Sequence, residues 1–330
     1  MQTMKAIIFD KPGDAEQLHL ADLPMPQAGP GELLVCIHAT ALNRADILQR
    51  QGKYRAPATD SALLGLEMAG TVYEVGEGVQ DFRPGDRVCA LLPGGGYAQY
   101  CTIPAVMALR LPNSLSFTRA AAIPETFLTA HQALHWLAGV KSGEKILIHA
   151  GASGVGQAAL QLARRAGASL VVATASAAKH AACRAAGAAV VIDYAAGDWE
   201  AMAMQAGADT GYDIIIDFIG GPYFNQNLSL LADDGRLVML GFLGGSRIAE
   251  ADLGPILRKR LQIVGSTLRN RSQAYKQALT DDFRHRHWDA FARGELEAVV
   301  DSIYDWEEVA AAHRYMEGNY NQGKIVLSVG

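Results

Sequence analysis

Apolar positions along this chain follow two different rhythms. From Met4 to about Ile123, short β-rich runs (MKAIIF, ELLVCIHATAL, GTVYEVG, DRVCALL and YAQYCTI) are cut by glycine and proline. That spacing predicts a small, irregular β-barrel. From about Pro124 to Thr267 the runs become nearly continuous (KILIHA, SLVVATA, AAVVID, YDIIIDFIG, GRLVMLGF and LQIVGST), with alanine-rich helical stretches between them. Strands buried on both faces need such runs, and their alternation with helices predicts a parallel doubly wound sheet. After Thr267 a polar helical segment leads to a last strand-like run, GKIVLSV. This return to short-strand character predicts that the tail rejoins the barrel. The expected domains are therefore residues 1–123 and 268–330 as one unit, with residues 124–267 inserted as an α/β domain.

Composition narrows the function classes. Half of the 330 residues are hydrophobic and 19% are charged, which describes a packed globule and not a disordered chain. A net charge of -5 leaves no basic footprint for nucleic acid or acidic membranes. Four scattered cysteines, Cys36, Cys89, Cys101 and Cys183, form no CxxC pair and suggest neither a zinc ribbon nor a disulfide framework. The opening MQTMKAIIFDKPGD lacks an apolar leader, and no apolar run reaches the roughly 20 residues of a membrane helix. A cytoplasmic location is the expectation.

The stretch HAGASGVGQ, His149 to Gln157, follows a strand-like run and opens a helical one. Its GxxGxG spacing is not the usual dinucleotide fingerprint, but strand, tight turn and helix are the context such a site requires. A helix N-terminus offers unpaired N–H groups and a positive dipole end, and Gly154 and Gly156 carry no Cβ to hold the backbone away from a pyrophosphate. Ser153 can add a hydroxyl donor, and Val155 lies between the two glycines. A NAD site places an acidic residue about 20 positions further on, against the ribose hydroxyls. Between Glu144 and Asp193 there is none. Instead Ser176 and Lys179 follow the second run, a hydroxyl and an ammonium that suit a 2′-phosphate, so NADP(H) is expected. Tyr194 either reaches that phosphate or is a half-buried core tyrosine. Gly241, Phe242 and Leu243 follow the fifth strand, and Ser266, Thr267 and Leu268 the sixth, where they can shape a nicotinamide pocket. Asn225 adds a polar contact or caps a helix.

GTVYEVGEGVQDFRPGDRV, AAIPETFLTAHQAL, HAGASGVGQAALQLAR and NQGKIVL together resemble the medium-chain dehydrogenase/reductase superfamily over nearly the whole chain. ALNRADILQRQGKY followed by LLGLEMAG is similar to its zinc-independent quinone oxidoreductases, particularly the p53-inducible branch. The resemblance implies a GroES-like barrel completed by the tail, a Rossmann domain between, and a dimer paired through the sixth Rossmann strand, LQIVGST. Where zinc alcohol dehydrogenases carry a cysteine ligand this sequence has Asn43, and where they carry GHE it has Gly65, Leu66 and Glu67. An amide and a leucine cannot replace zinc ligands, so no metal is expected. The His285–His287 pair reads as a solvated surface feature.

The expected reaction is metal-free hydride transfer from NADPH to a quinone in the cleft between domains. Asn43 and Tyr54 match family positions lining that cleft, and either can bond a quinone oxygen; each can also be a turn or packing residue. Asp46 reads as a structural acid. Thr129 approaches the nicotinamide amide or is a buried helical threonine, and Asn321, in the terminal motif, is implied on the cofactor side by the resemblance. The competing readings are an alkenal or enoyl reductase and a non-catalytic, ζ-crystallin-like NADPH-binding protein.

Overall fold

The computed structural model describes residues 2–57, 60–207 and 210–330. The chain forms two units, residues 1–128 with 269–330, and residues 129–268. The first break therefore falls within the helix Pro124–His131 and not at the proline where the apolar rhythm changes.

The strands of the first unit are β1 (Thr3–Ile8), β2 (His19–Pro24), β3 (Glu32–Ala41), β4 (Glu67–Val75), β5 (Arg87–Leu91), β6 (Tyr100–Pro104) and β7 (Leu109–Arg110). The second unit contributes β8 (Lys145–Ile148), β9 (Leu170–Ala175), β10 (Val190–Asp193), β11 (Tyr212–Asp217), β12 (Leu231–Met239) and β13 (Gln262–Gly265). The chain then returns to the first unit for β14 (Val300–Asp305) and β15 (Lys324–Ser328).

In the barrel unit the sheet runs β14-β15-β3-β4-β5-β7, with β6 also on β3 and β1 paired to β2. β3 is the hub. Glu32 to Cys36 pair with β6, Ala39 to Ala41 pair with β15, and β4 runs along the other side with two register shifts. Its core mixes both parts of the chain, Ile7, Leu33, Val35, Ile37, Met68 and Val88 with Trp306, Val309, Ile325 and Leu327. Arg50, fully buried, ties the tail helix Val309–Glu317 to the helix Arg44–Arg50 by bonds to His313 Nδ1 (3.2 Å) and Glu317 Oε1 (2.5 Å). Because Nδ1 accepts from the guanidinium, the neutral ring carries its proton on Nε2 and donates to Tyr97 Oη at 3.0 Å. Burial and Arg50 push the imidazole down to about 3, which keeps it in that form.

The helix Gln273–Ala292 corrects one expectation. His285 is exposed, but His287 is buried beside Phe283, ring centroids 5.5 Å apart. Leu279, Phe283, His287, Ala290 and Phe291 recur at helical spacing and form the core face, which carries one histidine of the pair inward.

The second unit is one all-parallel sheet in the order β10-β9-β8-β11-β12-β13. Numbered from its own first strand this is 3-2-1-4-5-6, the doubly wound order in which ligands bind beyond the carboxyl ends near the switch between strands 1 and 4. Leu147, Val172, Ile192, Ile215, Leu228 and Leu237 lie in its core.

Candidate functional site

All the strand-end residues expected to meet a dinucleotide lie on one edge of the second unit, because they follow the carboxyl ends of parallel strands. After β8 the chain turns through Ala150 with φ +46° and enters the helix Gly154–Arg165. Ser153 caps that helix, its Oγ accepting from Gly156 N at 3.0 Å. The Gly156 N–H is thus taken by the cap, while those of Gly154 and Val155 have no partner among the described residues and sit at the positive end of the helix. Gly156 serves the turn more directly than the ligand: a Cβ there would lie 2.4 Å from Ala150 O. At the end of β8, His149 is buried, accepts from Thr174 at Nδ1 (3.0 Å) and donates from Nε2 to Asn227 (2.8 Å). Burial pushes its pKa down to about 4, so it braces the turn as a neutral ring.

β9 ends at Ala175 and is followed by Ser176, whose hydroxyl has no partner among the described residues, and by Lys179 in the next short turn. No carboxylate follows this strand before Asp193. Tyr194, after β10, is exposed. After β12, Phe242 and Leu243 are exposed beyond Gly241, and the segment is zipped to 217–219 by Leu240 N, Leu243 N and Gly244 N. After β13, Ser266 Oγ lies 3.2 Å from Gln132 Oε1, Thr267 is exposed and Leu268 is buried.

Two residues expected at the cofactor are committed elsewhere. Asn225 turns its amide onto a neighbouring loop, donating to Glu250 O (2.9 Å) and accepting from Asp252 N (3.2 Å). Asn321, in the first unit, donates to Gly323 O at 2.8 Å and shapes the turn into β15.

Thr129 stands out against its neighbour Thr126. Thr126 satisfies its hydroxyl on Ala122 O at 2.7 Å, the usual device of a helical threonine. Thr129 Oγ1 is buried with no partner among the described residues. An orphaned buried hydroxyl costs about 1–3 kcal/mol, which sets Thr129 apart from the satisfied Thr126. The helix continues into a π-helical stretch, Gln132–Leu137, which presents Gln132 to Ser266.

The first unit holds a buried polar cluster that sequence reasoning missed. Asn43 caps the helix Arg44–Arg50, and Asp46 completes a capping box through Asn43 N (2.8 Å) while also accepting from Gly65 N (2.9 Å). Burial pushes Asp46 up to about 6 despite those bonds, so it acts as a structural acid. Asn43 Nδ2 donates to Ala41 O (3.2 Å) and Glu67 Oε1 (2.9 Å), and its Oδ1 accepts from Lys324 (2.6 Å). Lys324 is 4% exposed and spends its other two donors on Leu42 O (2.5 Å) and Glu67 (2.7 Å), Glu67 being fully buried. Asn43 therefore has at most one lone pair left for a ligand. Tyr54 lies beyond the C-terminal end of the same helix, its N–H donating to Leu48 O at 3.1 Å. Arg269, itself bonded to Gln49 (2.7 Å) and Pro93 O (3.0 Å), covers the Tyr54 ring at 5.5 Å.

Zinc does not fit this cluster. The two positions that would need a thiolate and an imidazole hold an amide and the buried Leu66, and the remaining carboxylate is already neutralised by an ammonium.

Comparison with known proteins places these features. The model of the alcohol dehydrogenase GroES-like domain matches residues 29–113, and that of a zinc-binding dehydrogenase matches residues 154–282. A mycocerosic acid synthase-like polyketide synthase of Mycobacterium tuberculosis is 41% identical over 159 residues, 48% of this chain and 8% of that protein. The human synaptic vesicle membrane protein VAT-1 homolog is 35% identical over 198 residues, 59% of this chain. The chain thus spans half the length of the second relative and far less of the first. Among solved structures, an NAD-dependent alcohol dehydrogenase superposes with a TM-score of 0.87 at 32% identity, covering 99% of this chain and 100% of that one. The CurK enoyl reductase gives 0.88 at 29% and the quinone oxidoreductase from Coxiella burnetii 0.82 at 29%, each covering 100% of both chains.

Proposed function

Because the chain belongs to the medium-chain dehydrogenase/reductase superfamily, we propose that this oxidoreductase is an NADPH-dependent, zinc-independent quinone reductase. The observation that carries the reading is the Lys324–Glu67–Asn43 cluster standing where a metal's ligands are needed. Without a Lewis acid, the acceptor must be electrophilic enough to be reduced unaided, and quinones are. When bound, a reduced nicotinamide supplies a hydride at C4.

The remaining work falls to the chain. Gly154 and Val155 N–H groups at the helix N-terminus hold the pyrophosphate, Ser176 and Lys179 take the 2′-phosphate, and Thr129 bonds the carboxamide. Tyr54 bonds the acceptor oxygen. Burial raises the pKa of its phenol, so it stays protonated and can donate. The similarity to the CurK enoyl reductase favours conjugated enones as the second reading, served by the same cofactor site. NADPH and NADH oxidation with benzoquinone, naphthoquinone and hexenal, with and without EDTA, separates the two. Fastest turnover of a quinone with NADPH, unchanged by EDTA, is expected; faster hexenal reduction overturns the acceptor and EDTA inhibition overturns metal independence.

The cofactor preference has its own test. Ser176→Ala combined with Lys179→Ala removes charge-assisted bonds of about 1.5–3 kcal/mol each, so KM for NADPH should rise roughly 10- to 150-fold per residue while KM for NADH barely changes. Equal losses for both cofactors count against the 2′-phosphate assignment.

Among the described residues the outer strand β13 has no strand beside one of its edges and carries the exposed Ile263, with Leu253 and Leu257 exposed in the segment that precedes it. An open apolar edge invites strand addition, and a second copy of this chain is the proposed occupant. Sedimentation should give a dimer that Ile263→Lys and Leu257→Glu dissociate; a monomeric parent protein would sink the idea.

A further inference from the structure

Reduction of a quinone or enone consumes a proton as well as a hydride. The second residue of the helix Pro124–His131 is Glu125, and its N–H donates to Glu67 Oε2 at 2.8 Å, which fixes the head of the helix on the buried Lys324–Glu67 pair. The Glu125 carboxyl takes no hydrogen bond from any described residue. The charged groups facing it are Glu67 from β4, Asp46 from the helix Arg44–Arg50, Lys324 from β15 and Lys276 from the helix Gln273–Ala292. It acts in turn on the Tyr54 phenol, so the carboxyl and the proposed acceptor-binding hydroxyl share one neighbourhood. One helical turn further along lies the orphaned hydroxyl of Thr129. Two polar side chains unsatisfied by the protein thus stand at i and i+4 of a single helix.

Burial and the Glu67 charge push Glu125 up to about 7, with Asp46 adding to the rise and the two lysines opposing it. A helix N-terminus ordinarily favours a carboxylate, so a proton-bearing acid here is held against the local dipole. A group poised near the working pH is what general acid catalysis needs, and Tyr54, with its pKa raised above the ordinary phenol value, is poorly matched to release a proton.

We propose that Glu125 is the proton donor to the reduced acceptor, an inference that rests on the reductase reading above. The acceptor gains two electrons and one hydrogen as hydride from the reduced nicotinamide. The O–H bond of the Glu125 carboxyl breaks as an O–H bond forms on the acceptor oxygen, and the carboxylate recovers its proton from water. No other oxidant or reductant enters.

The test compares the full-length protein with Glu125→Gln, Glu125→Asp and Tyr54→Phe. In the parent, kcat for quinone reduction should fall as pH rises through about 7. Glu125→Gln should lose roughly 100-fold in kcat and show no titration in that region, with KM for NADPH unchanged. Glu125→Asp should restore a pH-dependent rate, and Tyr54→Phe should turn over more slowly with the parent profile. Infrared difference spectra of the cofactor-free protein across the same pH range should show a protonated carboxyl that Glu125→Gln lacks. Parent-like kcat and profile in Glu125→Gln overturn the proposal and leave the reductase reading intact. A parent protein that reduces no quinone or enone, yet shows the infrared band, overturns the reductase reading and the donor role with it.

Discussion

Replacing Lys324 with methionine is expected to destabilise the barrel unit by about 3–5 kcal/mol, lowering its melting temperature by roughly 6–20 °C. Lys324 is 4% exposed, and its ammonium supplies all three of its donors to Leu42 O, Asn43 Oδ1 and Glu67 Oε1. Methionine fills similar volume but leaves the fully buried Glu67 as an uncompensated charge. Adding Glu67→Gln should recover much of the loss by removing the stranded charge. Scanning calorimetry of the parent, the single variant and the double variant decides it, and a double variant no more stable than Lys324→Met would count against a stranded Glu67.

Gly156→Ala should weaken NADPH binding sharply, raising Kd roughly 30- to 850-fold, an expectation that follows from overpacking of about 1–3 kcal/mol and loss of a helix cap worth about 1 kcal/mol. The added Cβ would meet Ala150 O at 2.4 Å and Gly151 O at 2.8 Å. Both obstacles are backbone, and neither can swing aside as a long side chain would. The turn must open, and the Ser153–Gly156 cap that orients the Gly154 and Val155 N–H groups is lost with it. Fluorescence titration of NADPH reads the effect, and parent affinity in the variant would show that the turn tolerates the shift.

The doubly wound sheet was legible because KILI, LVVATA, VVID and YDIII are uninterrupted apolar strands, and a strand buried on both faces leaves little else that its sequence can be. β2 and β14 were not legible. HLADLP and VDSIYD are half-exposed, and their polar residues interrupt any alternation that would have announced them. At the site, the turn around Ser153 could be found from spacing because its chemistry is local. The Lys324–Glu67 pair could not, since its partners sit on β15 and β4 and only the folded sheet brings them together. Asn43 and Leu66 stood out in the sequence as departures from a zinc ligand set, but Glu67 was not legible as the anchor of a cluster. His287 misled because a HxH pattern says nothing of helix phase until its neighbours Phe283 and Phe291 fix which side faces the core.

β3 receives β15 along Ala39 to Ala41, although the whole inserted unit separates the two strands in sequence. The inserted sheet, by contrast, is built from residues that follow one another closely. During synthesis the nucleotide-binding unit can therefore close while β3 still lacks one of its neighbours. Late pairing of distant segments is slow, and an unfilled strand edge recruits other chains while it waits. The nascent polypeptide is thus most exposed to aggregation along β3, and shielding there during translation should govern how much of the protein matures.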